Sequence, residues 1–389
     1  FLHFFKTTEA PVKRRGIHPL KTFFAAIGGC IGIGNIVGIC TAVQLGGPGA
    51  LFWTWVGGLA GMLLQYSEVF LGMRYRVKNS SGSYDGGPMY FLPVAFKGQW
   101  IAPIVAFLLC LYGVELFMFN VMTDSISVNW DLNPYWVAFI LLVAVIVVAL
   151  GGINRVGKVC SAIIPLFIVL YLGMGFWILF QNLGEIPAAL ALVFKGAFTP
   201  QAAVGGFAGS TVVLTISMGL SRGAYSGDIG VGYTSVVYAE SNTPHIKRQA
   251  ALTIIGVFLD TFVICTMSIL LVLISDHWKS GIDVSLMVQE ALGLHFPYMP
   301  LFMPFFLFLL GYTTILTYFV VGVKCAKFIS PKYGPLLYYL YAIISLPLFA
   351  FVNPSQAFLI MSLAGAALLI FNLLGIFFLR KEIEFGLDD

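Results

Sequence analysis

Charged residues are scarce in this chain: Asp, Glu, Lys and Arg make up 10% of its 389 residues, where soluble globular chains carry roughly a quarter. With 59% hydrophobic residues and a mean hydropathy of +0.93, that scarcity excludes an ordinary water-soluble domain. Cysteines number only six, all in or at the ends of apolar runs and with no C-x-x-C spacing, so neither disulfides nor a metal centre is expected. The five histidines fall in tails, loops or the ends of apolar runs. No zinc-type His pair, phosphate loop or dinucleotide fingerprint appears. The net charge of +4 comes without a basic, aromatic-interleaved tract, which argues against a nucleic-acid partner. Phe1 to Phe5 are too short to span a bilayer and no small-residue cleavage site follows, so a signal peptide is not expected and an earlier N-terminal segment stays open.

What the chain has in abundance is apolar runs long enough to cross about 30 Å at 1.5 Å per residue. Ten are legible, at 21–43, 50–73, 101–124, 135–150, 159–181, 203–240, 250–274, 300–328, 335–352 and 354–379. Short interfacial helices are expected within 186–200 and 284–294, and a polar loop at 77–87. With the N-terminus inside, every Lys and Arg except Lys195, Lys279 and Arg222 lies on the cytoplasmic side. That asymmetry predicts ten spans with both termini cytoplasmic, in a bacterial inner (plasma) membrane.

Two of these runs ought to be unbroken and are not. Gly28-Gly29-Cys30-Ile31-Gly32-Ile33-Gly34-Asn35 places four glycines near the middle of the first. Such backbone is tolerated at membrane depth only against protein or a water-filled cavity. Helix ends there would offer amides to an anion and carbonyls to a cation. The alternative is that these glycines serve close packing, as small-xxx-small pairs. Asn35 favours a site. The sixth run carries a second interruption from Gly219 to Gly230. Breaks in the first and sixth of ten runs, which cross in opposite directions, predict an all-α, five-plus-five inverted repeat, the halves covering about 21–181 and 203–379 of a single transmembrane domain, with the site between them.

Ionisable groups inside a membrane are costly and read as functional by default. Glu115, Asp124, Asp228 and Asp260 lie within the runs, with Arg222 the one base among them, a balance that suits a cation. Asp260 and Glu115 could equally be a structural pair or protonated carboxyls. Glu68, near a basic loop, reads as a surface partner of Arg74. Thr313 and Thr314 suit a small hard cation, although threonine also satisfies itself on a carbonyl of its own helix. Gly219-Leu220-Ser221-Arg222-Gly223 matches the nucleophile elbow G-x-S-x-G, but that motif needs a strand-to-helix turn and a His partner. No enzyme activity is expected.

Gly-Ile-Gly-Asn-Ile-Val-Gly at 32–38, Gly-Gly-Pro-Gly-Ala-Leu-Phe-Trp-Thr-Trp-Val at 46–56, Gly-Gly-Pro-Met-Tyr at 86–90, Arg-Gly-Ala-Tyr-Ser-Gly-Asp-Ile-Gly at 222–230 and Gly-Val-Phe-Leu-Asp-Thr at 256–261 together resemble the alanine or glycine:cation symporter family. The resemblance runs through nearly the whole chain. It departs at Ile33, where the family usually has Thr, and at Ser226 to Gly230, where it has Ser-Asn-Glu-Ala-Gly. It also departs at Met122 and Asp124, which stand for Gln and Asn, and at Thr317-Tyr318, which stand for Gly-Trp. These changes spare backbone ligands and alter side-chain ones.

The resemblance implies sodium-coupled symport of a small neutral amino acid by alternating access, alanine or glycine first, with no cofactor beyond the coupling ion. Proton coupling, or a channel or nutrient sensor of the same fold, remains open. The substrate is expected at Gly32, Ile33, Gly34, Met122, Asp124, Gly219, Ser221, Asp228 and Tyr318. The ion is expected at the Gly28 and Ile31 carbonyls with Thr313 and Thr314, and Asn35 serves a second one. Asp124, near the outer end of its run, reads either as a partner for the substrate ammonium or as wetted surface.

Overall fold

The computed structural model describes residues 16–79, 82–202, 204–205, 207–351 and 354–386. Lys6, Lys13, Arg14 and Arg15, which carry part of the charge argument, lie outside them. Every one of the ten apolar runs holds helix. They are α1 (Pro19–Cys30) with α2 (Gly38–Gly46), α3 (Ala50–Arg74), α5 (Ile101–Tyr112) with α6 (Leu116–Trp130), α7 (Pro134–Ala149) and α8 (Gly152–Gln181) in the first half. The second half has α10 (Val212–Ser226) with α11 (Tyr233–Ala239), α12 (Ile246–Val257) continuing to α13 (Thr266–Ile274), α15 (Met299–Ile329), α16 (Gly334–Phe349) and α17 (Pro354–Phe378). Between them lie α4 (Pro88–Ala95), α9 (Ile186–Gly196) and α14 (Val284–Gly293), the last two where short interfacial helices are expected, and a hairpin of β1 (Val77–Lys78) and β2 (Tyr84–Asp85). By length and apolarity five helices cross a membrane unaided, and a sixth span is the bent pair of the first run.

The breaks are displaced from the glycine clusters that announce them. Gly28 and Gly29 are still helical; α1 ends at Cys30, a 3-10 turn occupies Ile33–Asn35, and the halves meet at 54°. In the sixth run, helix continues through Gly219 and Arg222 to Ser226, and the irregular stretch is 227–232. Asp228, Gly230 and Gly232 take positive φ there (48°, 74° and 94°). The early glycines have a packing role instead. A Cβ on Gly29 would lie 1.9 Å from the Tyr233 hydroxyl, and one on Gly219 would lie 2.4 Å from the Ala50 carbonyl, so both sites admit only glycine.

Two further irregularities have no glycine cluster to signal them. The third run is interrupted between α5 and α6, where Glu115 adopts a left-handed φ of 53°. The seventh passes through a π-helical stretch, Phe258–Cys265. Single π turns concentrate at functional sites because they re-aim one side chain. Here that side chain is Asp260.

Packing divides the helices into two groups. α10 lies against α2 and α3, while α11 and α12 lie against α1 and α3. α15 fills the centre of the other group, against α5, α6 and α8, and also touches α1. The two broken runs therefore meet at mid-depth beside α15.

Candidate functional site

Asn35, in the turn of the first run, is fully buried. Its Oδ1 accepts the Gly32 amide proton (2.8 Å), and its Nδ2 donates to Asp260 Oδ1 and to Ser226 Oγ (3.2 Å). Thr261 Oγ1 donates to Asp260 Oδ2 (3.0 Å), and Ser226 Oγ stands 3.4 Å from the same oxygen. One carboxylate, one amide and two hydroxyls thus converge where the first break, the end of α10 and the π turn touch. Asp260 is completely buried with no base in contact. An acidic, oxygen-rich cluster of this kind is chemistry suited to a hard monovalent cation.

The second contact joins the first run to α15. Thr314 Oγ1 donates to the Gly28 carbonyl (3.1 Å), as the expected ion site requires. Thr313 does not take part, because its hydroxyl is spent on the Leu309 and Leu310 carbonyls of its own helix (3.1 and 2.9 Å). Ile31 is buried as the C-cap of α1.

Of the expected substrate residues, Gly32 lies closest to this contact: a Cβ there would sit 2.7 Å from Thr314 Oγ1. Its amide is already bonded to Asn35. The Ile33 and Gly34 amides, at the head of the 3-10 turn, have no partner within it. Asp228 is buried and accepts the Tyr112 hydroxyl proton (2.7 Å). Tyr318 stacks on Tyr233 at 3.8 Å and lies 5.5 Å from Tyr112, so three tyrosines and Asp228 form one wall of the centre. Ile33 packs instead into the space over Gly311, beside the Met122 sulfur.

Three expected residues are elsewhere. Gly219 joins α10 to α3, its carbonyl accepting from Thr54 (3.1 Å). Ser221 is exposed, its hydroxyl 3.4 Å from the Met218 carbonyl. Both lie on helix that continues past the glycines, so neither reaches the break. Asp124 is exposed and lines a 590 Å³ cavity with Arg222, Asp283 and Gln289, which is the wetted-surface alternative.

The reading of Glu68 as a surface partner of Arg74 is overturned. Glu68 is completely buried, and its two oxygens accept the Gly232 and Ser235 amide protons (3.0 and 3.1 Å). The start of α11 leaves amides with no intrahelical acceptor, and a carboxylate from α3 supplies one. Gln65 donates to the Gly227 carbonyl (3.3 Å) and Asn372 to that of Gly230 (3.0 Å). Arg74 pairs with Glu382 and Glu384 at 3.5 and 3.4 Å. Nothing local in sequence marks Glu68 for this task; the one available signal was its membrane-facing neighbourhood of glycines on α3.

At the end of the bundle carrying the basic loops, Lys324 of α15 bridges Asp85 (2.9 Å) and Glu240, just past α11. Arg76 donates to the Ser241 and Thr243 carbonyls (2.7 and 2.9 Å). A cavity of 670 Å³ on this side is lined by Ile17, His18, Asn154, Glu240 and Lys324.

Comparison with known proteins agrees with this geometry. Residues 1–389 match the model of the sodium:alanine symporter family. An uncharacterized transporter of Haemophilus influenzae is 32% identical over 92% of this chain and 80% of its own length. The sodium/alanine symporter AgcS of Methanococcus maripaludis is 30% identical, over 83% and 73%. The probable sodium/glutamine symporter GlnT of Bacillus subtilis is 29% identical, over 97% and 79%. Among solved structures, MhsT in complex with L-phenylalanine superposes with a TM-score of 0.56 at 15% identity, covering 92% of this chain and 81% of that one. At that identity the likeness carries the fold, an inverted-repeat membrane transporter with broken first and sixth helices, and nothing finer. With helices, breaks and sequence in agreement along its whole length, the chain belongs to the sodium:alanine symporter family of amino-acid:cation symporters.

Proposed function

We propose that this protein is a secondary transporter that couples inward movement of a small neutral amino acid to sodium by alternating access, with alanine and glycine the first candidates. The observation that carries the reading is the Asp260 cluster, where one buried carboxylate is held by Asn35 of the first break, Ser226 at the edge of the second and Thr261 of the π turn. A cation there neutralises a charge that is otherwise expensive at membrane depth, and it ties together elements that must move as one body. A second sodium position is proposed between the Gly28 and Ile31 carbonyls and Thr314. The substrate carboxylate takes the Ile33 and Gly34 amides, and Tyr318 and Asp228 close the opposite wall. The basic end faces the cytoplasm of a bacterial inner membrane, and the Asp124 cavity faces outward.

Uptake into proteoliposomes across a panel of amino acids, with and without an inward sodium gradient, tests the reading. Accumulation of alanine or glycine that collapses without sodium is the expected result. Accumulation indifferent to sodium, or confined to large or charged amino acids, overturns it.

A further inference from the structure

We propose that Glu115 is a proton-binding site, and that the transporter carries a proton inward on this carboxyl together with its amino acid. The inference goes beyond sodium-coupled uptake and concerns residues outside both proposed cation positions.

Glu115 stands at the unannounced break between α5 and α6, left-handed in backbone and 2% exposed. Its Oε2 is sealed from solvent and has no hydrogen-bond partner among the described residues. No ion pair reaches it either. The nearest charged group is another acid: Asp228, in the break of the sixth run, is close enough to act on it electrostatically. No hydrogen bond joins the two carboxyls. Two acids thus face each other in a dry interior, and only one of them is supplied with a donor, the Tyr112 hydroxyl on Asp228.

The surroundings offer no compensating cation. Tyr112 comes from α5, Tyr225 and Asp228 from the sixth run, and Tyr338 from α16. α7 and α17 contain no Asp, Glu, Lys, Arg or His. α17 presents Gly365 to the Tyr112 ring. On α15, the nearest base in sequence is Lys324, which is committed to Asp85 and Glu240. Arg222 lines the cavity that Tyr112 and Tyr225 share, and its guanidinium makes no ion pair with Glu115. Leaving an isolated carboxylate in such a place costs several kcal/mol, and the group avoids that by holding a proton.

Asp228 belongs to the segment whose hinge glycines let the sixth run move, so the environment of Glu115 changes whenever that run does. When the outer side is open, the Glu115 carboxylate takes a proton from outside water and becomes a neutral carboxylic acid. Closure buries the neutral form beside Asp228. Opening to the other side rewets the group, the O–H bond breaks, and the proton leaves to the inside. One proton is bound and one released per cycle, with no other reactant.

The test uses two measurements. Proteoliposomes with an entrapped pH-sensitive dye and equal sodium on both sides receive an inward gradient of L-alanine. The expected result is interior acidification in the parent protein and its loss in Glu115→Gln while sodium-dependent alanine binding persists. Glu115→Asp keeps acidification with a displaced pH profile. Alanine entry without acidification, or unchanged acidification in Glu115→Gln, overturns the proposal. Absence of alanine entry in the parent counts against the proposed substrate instead. The second measurement then decides: infrared pH titration of the purified protein in lipid should show a carboxylic-acid C=O band that disappears at alkaline pH, is missing in Glu115→Gln and titrates at a shifted pH in Glu115→Asp. Identical titrations of parent and variants overturn the proposal without reference to any substrate.

Discussion

Lys324 Nζ lies 2.9 Å from Asp85 Oδ1 while also contacting the Glu240 carboxylate, so one ammonium pins the β-hairpin and the end of the sixth run to the central helix. Removing that charge leaves two acids partly buried side by side. Lys324→Gln should therefore cost roughly 3 kcal/mol of stability, the scale of breaking a buried pair, and increase the thiol reactivity of Cys30 in a background lacking the other five cysteines. Thermal unfolding and maleimide labelling check both. Restoration of both by Lys324→Glu with Glu240→Lys is expected if charge is what matters.

Thr313 and Thr314 are adjacent in sequence and opposite in role. Thr314→Val removes the one hydroxyl that reaches Gly28 and should raise the sodium half-saturation about tenfold, some 1.4 kcal/mol. Thr313→Val removes a hydroxyl bonded within its own helix and should shift it less than twofold. Sodium titrations of uptake distinguish them, and equal effects would sink the assignment.

Asp260→Asn retains the shape of the cluster and removes its charge. Sodium dependence should weaken at least about tenfold, again some 1.4 kcal/mol, while the protein still purifies as a monodisperse species. An unchanged sodium titration would place the ion elsewhere.

Glu68→Ala strands the Gly232 and Ser235 amides in a buried site at a cost of about 1–3 kcal/mol for each. Glu68→Gln keeps one acceptor oxygen and should lose less than half as much. Melting temperatures of the two variants, compared at one pH and detergent, give the ordering.

Gly32→Ala drives a methyl to 2.7 Å from Thr314 Oγ1, whereas the corresponding position on Gly34 has its first neighbour at 3.7 Å. Transport should be lost in the first and largely kept in Gly34→Ala. Uptake assays on protein of equal surface expression settle the contrast.

Hydropathy made the ten runs and the two principal breaks legible, because composition alone decides what crosses a bilayer and glycine alone weakens a helix within it. The placement of those breaks was less legible. Gly28, Gly29, Gly219 and Gly223 look like breakers, yet each is spent on a close approach, against Cys160, Tyr233, Ala50 and Thr54. Close packing and helix breaking call for the same residue, and only the partner surface tells them apart. Glu68 shows the opposite difficulty: its nearest base in sequence suggested Arg74, while its actual partners are amides more than 160 residues away. Asp260 was visible as an intramembrane acid but not as the centre of a cluster, since neither Asn35 nor Ser226 announces that it turns toward the seventh run.

The π stretch at Phe258–Cys265 has an evolutionary reading as well as a geometric one. A π turn accommodates one residue more than the α-helix on either side of it, so it behaves as a single-residue insertion absorbed without breaking the helix. Deleting one residue there would let the helix anneal into regular α form and rotate Asp260 by about 100° out of the cluster, while the flanking faces of α12 and α13 kept their packing. A homologue lacking that one codon would align well on both sides of the gap, insert and fold as a transporter, and have lost its ion.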